Sequence, residues 1–153
     1  MIGGKILKFA PLQRRPARRV THKAGFLSMT EHLLTGAAGE QLACQWLEDH
    51  GFAVLHRNWR YGRDEIDIVA RQGRFLVVVE VKTLTSARWG DPEDAVDQRK
   101  QVKLMRAAAG LIERTAEDLE LRFDVIAITH TPQGPEIFHI PDAFYPTLDE
   151  QTH

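Results

Sequence analysis

Two short runs of the chain place carboxylates and a lysine where they could act on a phosphate: Asp64-Glu65-Ile66-Asp67 and Val79-Glu80-Val81-Lys82. Hard divalent cations prefer oxygen ligands and usually take only one or two protein carboxylates, leaving waters and substrate to complete the shell. Asp67 and Glu80 meet that requirement for Mg²⁺ or Mn²⁺. Lys82 lies two residues past Glu80, on the same face of an extended strand, where an ammonium can orient or help deprotonate a water and offset charge developing at phosphorus. An isolated Glu-x-Lys triplet is most often a surface ion pair of little energetic weight. Here, however, Glu80 follows Phe75, Leu76, Val77, Val78 and Val79, so the charges end a strand that otherwise reads as buried. Holding Glu65, Asp67 and Glu80 together is costly unless a cation or a proton compensates, which argues for a metal.

The elements that must position these groups start with the hairpin itself. Two β-rich runs in EIDIVARQGRFLVVVEVK flank a short turn signal at Gln72-Gly73, and the pattern predicts an antiparallel pair. With Gln72 and Gly73 as the loop, Arg71 faces Arg74, Val69 faces Leu76, Asp67 faces Val78 and Glu65 faces Glu80. One face then carries Ile66, Ile68, Ala70, Phe75, Val77, Val79 and Val81, an apolar surface for packing under helices. The other carries Glu65, Asp67, Val69, Leu76, Val78, Glu80 and Lys82, with its charges at one end. A turn longer by a pair of residues preserves this sorting, whereas an odd slip destroys it.

Upstream, Thr35 is placed to cap a helix running to a stop at Gly51, with an apolar stripe of Ala38, Leu42, Trp46 and Leu47. FAVLHRNW, bounded by Gly51 and Gly62, reads as a strand. Downstream, Asp91 and Pro92 suit the cap and first position of a second helix through PEDAVDQRKQVKLMRAAAGLIER, with Val102, Met105, Ala109 and Ile112 at helical spacing. LRFDVIAIT reads as a further strand, followed by a turn around Pro132 to Pro135 and a shorter strand in EIFHI. The expected fold class is α/β, a mixed sheet flanked by helices with a core in the order αβββαβ.

At 153 residues and 43% hydrophobic content the chain suits one domain with a real core. Residues 35–144 are expected to form that domain, with 1–34 a basic, disordered leader and 145–153 an irregular tail. The leader carries Lys5, Lys8, Arg14, Arg15, Arg18, Arg19 and Lys23 against Glu31, although the whole chain has a net charge of −1. Such a stretch can touch phosphates, or it can be solvated sequence upstream of a start at Met29. Cys44 is the only cysteine, which excludes an intramolecular disulfide and a thiolate metal cage and fits a reducing cytoplasm. No apolar run is long enough for a membrane span, and the seven histidines show no zinc spacing.

The D-E-I-D and V-E-V-K pair resembles the PD-(D/E)xK nuclease signature, and the element order matches the restriction-endonuclease-like core. More closely, GAAGEQLACQWLEDHGFAVLHRNWR, EIDIVA, VVVEVKT, GDPEDAVDQRKQVKL and LRFDVIAI, in that order, resemble the bacterial YraN-like family of uncharacterised endonuclease-like proteins. The resemblance implies that Asp67 and Glu80 are metal ligands and Lys82 the catalytic lysine. It also singles out Glu40, which matches a helical glutamate that archaeal Holliday-junction resolvases hold near their metal. An exposed glutamate favoured by the dipole of a helix's first turn is the equal alternative. The chain departs from the family at Asp64, where a glycine is usual, and at Thr83 and Leu84, where a basic residue often follows. Those changes bear on phosphate contact rather than on metal binding.

Three functions follow from this reading. The leading one is a Mg²⁺-dependent nuclease acting on nucleic acid, DNA above all, with branched substrates and a homodimer implied by analogy with resolvases. The second is a non-catalytic nucleic-acid-binding module on the same fold. The third is a scaffold whose charged cluster meets a protein partner. Lys100 and Lys103, with Arg99 and Arg106, either follow a phosphate backbone or form a solvated helix face. Trp59 and Tyr61 either stack on a base or fill a loop. Arg122 and Asp124 are either a structural pair at the entrance of their strand or a site-edge contact, and the structural reading is favoured.

Overall fold

The structure is a computed structural model that describes residues 8–10, 18–20, 36–84 and 96–145. Its elements are β1 (Arg18–Val20), α1 (Gly36–Asp49), β2 (Ala53–Tyr61), β3 (Asp64–Gln72), β4 (Phe75–Leu84), α2 (Gln98–Glu113), β5 (Glu120–Thr131) and β6 (Gly134–Ile140). The six strands form one mixed sheet in the order β1-β6-β5-β4-β3-β2, in which β4 and β5 are parallel and the other neighbours antiparallel. The expected αβββαβ core is present, extended by β6 and by the short β1. The connection from β4 to β5 includes α2, because parallel neighbours need a crossover.

Both faces of the sheet are core. Ile68, Ala70, Val77, Val79, Ile126 and Ile128 pack with Ala43, Cys44, Trp46 and Leu47 of α1. Val69, Leu76, Val78, Phe123 and Val125 pack with Leu104, Ala107, Ala108 and Leu111 of α2. The charged end of β3 and β4 therefore sits not on an open surface but at the margin of a second core, because each central strand is covered by a helix on either side.

Several expectations are corrected by this packing. The helical stripe of α1 is rotated: Ala38 and Leu42 are only half-buried, while Gly39, Ala43, Cys44, Trp46 and Leu47 are buried. In α2 the buried face is Leu104, Ala107, Ala108, Leu111 and Ile112, and Val102 is 53% exposed. That helix begins at Gln98, where the side chain of Asp97 accepts the backbone N–H of Lys100 at 2.9 Å. Asp91 and Pro92 lie outside the described residues, as does Thr35. Val96, immediately before the cap, is buried in non-helical backbone, so α2 does not run back through it.

The hairpin turns on Gly73 and Arg74, not Gln72 and Gly73. Gln72 pairs with Phe75, Val69 with Val78 and Ile68 with Val79. Gly73 takes the positive φ, +58°, that the tight turn demands. This register differs from the expected one by an even step, so Val69 and Val78 keep a common face, and its next step would set Asp67 opposite Glu80. Two stretches of the segment read as a solvated leader lie against the sheet. β1 pairs with β6, and Leu121 exchanges backbone hydrogen bonds with Lys8 and Ala10, burying Ala10. At the other end, Ala143 N–H donates to the Phe123 carbonyl and Phe144 stacks on Phe123, 4.7 Å between centroids.

Candidate metal centre

The site forms where the β3–β4 ladder stops. Its last pair is Ile68 with Val79. One residue further, strand alternation breaks: Ile68 packs under α1, yet Ile66, two residues away, packs under α2. On the neighbouring strand, the matching position between the pairs Arg57–Ile68 and Trp59–Ile66 is Asn58, held at φ +49°. Both strands thus switch face at Asn58 and Asp67, and ideal alternation could not anticipate it. As a result the Asp67 carboxylate turns into the gap between β3 and β4, where its Oδ2 accepts the backbone N–H of Val81 at 2.8 Å. It replaces a carbonyl that the parted ladder no longer supplies.

Glu80 stands beside it, 8% exposed. Its Oε1 lies 3.4 Å from the Lys100 ammonium on α2, and its Oε2 is buried without a hydrogen-bond partner. Burial, reinforced by the charge of Asp67, pushes the Glu80 carboxyl up to about 7, with Lys100 opposing the shift. Lys82 points to the same side of β4: Thr83 meets Gly39 of α1 on the far face, so Lys82 shares the α2 side with Glu80. It is half-buried, and among the described residues it has no ion-pair partner.

The structure does not collect all the carboxylates that the sequence places nearby. Asp64 is buried in a two-pronged pair with Arg106 of α2, at 2.9 and 3.1 Å. Glu65 pairs with Arg60 at 3.1 Å. Of Glu65, Asp67 and Glu80, only Asp67 and Glu80 crowd together, and no group of three metal-binding side chains occurs among the described residues. Glu40 lies on α1, across the sheet from α2, and makes no hydrogen bond or ion pair with Asp67, Glu80 or Lys82 among the described residues. Lys100 is the contributor that sequence reading underrated. Its signal was available in the helical phase, since it sits at the edge of the buried face of α2.

A second charged group lies on the α1 side of the sheet. Arg122 donates to both oxygens of Asp124 at 2.8 Å, and His139 Nε2 lies 2.8 Å from the same carboxylate. Arg122 also reaches Gln72, and the Asp142 backbone N–H reaches Asp124. Asp124 is fully buried, yet the hydrogen bonds from His139 and Arg122 outweigh its desolvation and hold its carboxyl below the usual range. With every member partnered, this network is a structural strut joining β5, β6 and β3, as the sequence suggested for Arg122 and Asp124.

An unpartnered, buried carboxylate oxygen beside a second carboxylate is a donor set that a hard divalent cation fits. Comparison with known proteins places the chain among bacterial relatives. It is 43% identical over 120 residues to a UPF0102 protein of Bacteroides thetaiotaomicron, covering 78% of this chain and 99% of that one. It is 47% identical over 110 residues to a UPF0102 protein of Geobacter metallireducens, covering 71% and 90%. Among solved structures, Pyrococcus furiosus SfsA in complex with Ca²⁺ aligns at 16% identity with a TM-score of 0.30, covering 69% of this chain and 61% of that one, less than two thirds of its length. The model of the uncharacterised protein family UPF0102 matches residues 39–128, a span that contains Glu40, Asp67, Glu80 and Lys82, and the chain belongs to that family.

Proposed function

We propose that this protein is a metal-dependent phosphodiesterase acting on nucleic acid, with Mg²⁺ or Mn²⁺ held by Asp67 and Glu80. The observation that carries the reading is the buried, unpartnered Oε2 of Glu80 beside Asp67, at the point where β3 and β4 part. A carboxyl that holds a proton up to about pH 7 at a strand margin, rather than on an apolar side chain, is explained if a cation takes that proton's place in the working protein. A bound divalent ion there supplies Lewis acidity and a water of lowered pKa. Asp67 is held in line by Val81 N–H, and Lys82 orients the attacking water and stabilises charge at phosphorus. Lys100 balances the Glu80 charge before the metal arrives. Glu40 of α1, next to Gly39, which meets Thr83 of β4, is the further candidate residue.

The test is thermal unfolding with and without Mn²⁺ or Mg²⁺, followed by cleavage assays on single-stranded, duplex and branched DNA and on RNA. At a metal concentration of about 100 times Kd the wild type gains about 2.7 kcal/mol, a rise of several degrees in Tm. Asp67→Ala and Glu80→Ala are expected to lose the shift, while Lys82→Ala keeps it and loses cleavage. A metal shift and salt-sensitive binding without turnover of any substrate would instead favour the non-catalytic binding module.

A further inference from the structure

At 100° per residue, Arg99, Lys103, Arg106, Gly110 and Arg114 fall within a sector of about 80° on one flank of α2. The buried face, Leu104, Ala107, Ala108 and Leu111, lies next to it. This flank looks toward the outer strands: Arg106 reaches Asp64 of β3, and Gly110 meets the ring of Tyr61 on β2. Lys100, beside Glu80, lies at the same end of the helix as Arg99, on the adjoining buried face, and Arg114 ends the flank about 20 Å further along the axis. Lys103 and Arg114 are exposed and, among the described residues, have no carboxylate partner. The same holds for Arg63, in the turn after Tyr61.

At the far end the rings of Trp59 and Tyr61 lie parallel, 4° apart in plane with centroids at 6.1 Å, an offset stack. The Arg114 guanidinium lies 5.8 Å from one centroid and 5.9 Å from the other. Tyr61 is 38% exposed although it is an aromatic residue on the sheet's edge strand. A flat aromatic surface, a guanidinium plane against it and unpaired cations leading away from it are what an unpaired base and its backbone require.

We propose that this flank binds an unpaired nucleic-acid strand, its phosphates following Lys103 and Arg114 away from the Asp67–Glu80 pair and a base resting on the exposed ring of Tyr61. The proposal deepens the nuclease reading, on which its placement of the strand beside the metal pair rests, by naming the substrate as single-stranded or flap-bearing. A blunt duplex offers no free base to the Tyr61 ring and is bound less well.

The experiment is fluorescence anisotropy of a labelled oligothymidylate, an abasic strand of equal length and a blunt duplex, in EDTA across a salt series. The proteins are the wild type, Tyr61→Leu, Arg114→Gln, Lys103→Gln and the remote control Arg74→Gln, each checked for folding by its melting curve. The wild type is expected to prefer oligothymidylate to the abasic strand. Tyr61→Leu should weaken the first roughly tenfold, the loss of one base contact, and leave the second unchanged. Lys103→Gln and Arg114→Gln should each flatten the salt dependence by about 0.7 in slope, and Arg74→Gln should not. Should Tyr61→Leu fail to fold, Lys103→Gln and Arg63→Gln, whose side chains lie at the surface, carry the same slope test. A wild type that binds no single strand, that treats abasic and base-bearing strands alike, or that is matched by folded Tyr61→Leu and Arg114→Gln, overturns the proposal. Because EDTA removes metals, such a failure leaves the Mn²⁺-induced thermal shift standing, and loss of that shift leaves this binding result intact.

Discussion

At the scale of single residues, Glu80 and Asp124 are two buried carboxylates with opposite fates. Glu80 is raised from its ordinary value to about 7 chiefly by desolvation. Its folded form holds a proton that the unfolded chain releases near pH 4.5, so its contribution to stability is present below about pH 4.5 and is lost as the pH rises through about 7. Glu80→Gln should therefore be close to the wild type at pH 5 and exceed it at pH 8 by roughly 3 kcal/mol in urea unfolding, the size of the shift in free energy. Saturating Mn²⁺ should narrow that gap. Asp124 is lowered, so its contribution is present above the ordinary carboxylate range and is lost as the pH falls through its depressed folded value. Replacing it by Asn leaves Arg122 buried without a counter-charge, which should cost about 3 to 5 kcal/mol by the same measurement.

At the scale of elements, α2 is tied to the sheet by contacts that helix propensity alone would misjudge. Gly110 interrupts an otherwise favourable helix, yet a Cβ there would lie 2.4 Å from the Tyr61 ring. Gly110→Ala should destabilise by about 1 to 3 kcal/mol, an overpacking cost, despite alanine's better propensity. In a double-mutant cycle much of that loss should vanish in the Tyr61→Ala background. The start of α2 depends on one side chain, so Asp97→Ala should cost about 1 kcal/mol. The sequence pattern shows that a helix lies here. It does not reveal the start, because Asp97 sits in a polar run, and its role is set by its side chain accepting the Lys100 N–H.

At the scale of the whole molecule, the sheet is stiffest where it is covered twice. Backbone amides of Val77 to Val79 on β4 and Val125 to Ile128 on β5 lie in central strands between two cores. Hydrogen exchange should show these as the slowest, exchanging near the global unfolding limit, with β2, an edge strand exposed along most of its length, far faster. The Asp67–Glu80 pair then lies between a rigid strand and a looser neighbour, since Asp67 and Asn58 mark the place where β2 and β3 change face.

What the sequence determined by itself is local: the β-rich runs either side of Gly73, two amphipathic helices, and the collection of Asp67, Glu80 and Lys82 at one end of a strand pair. Period and turn chemistry are properties of neighbouring residues, and an even error in the turn leaves the sorting of side chains untouched. Tertiary structure alone decided which carboxylates stay with the site. Asp64 is claimed by Arg106, 42 residues away, and Glu65 by Arg60, while the face switch at Asn58 and Asp67 turns one carboxylate into the gap between strands. Pairing of charges across a sheet depends on which helix covers it and in what rotation. That is set by the summed packing of both cores and is written in no single stretch of the chain.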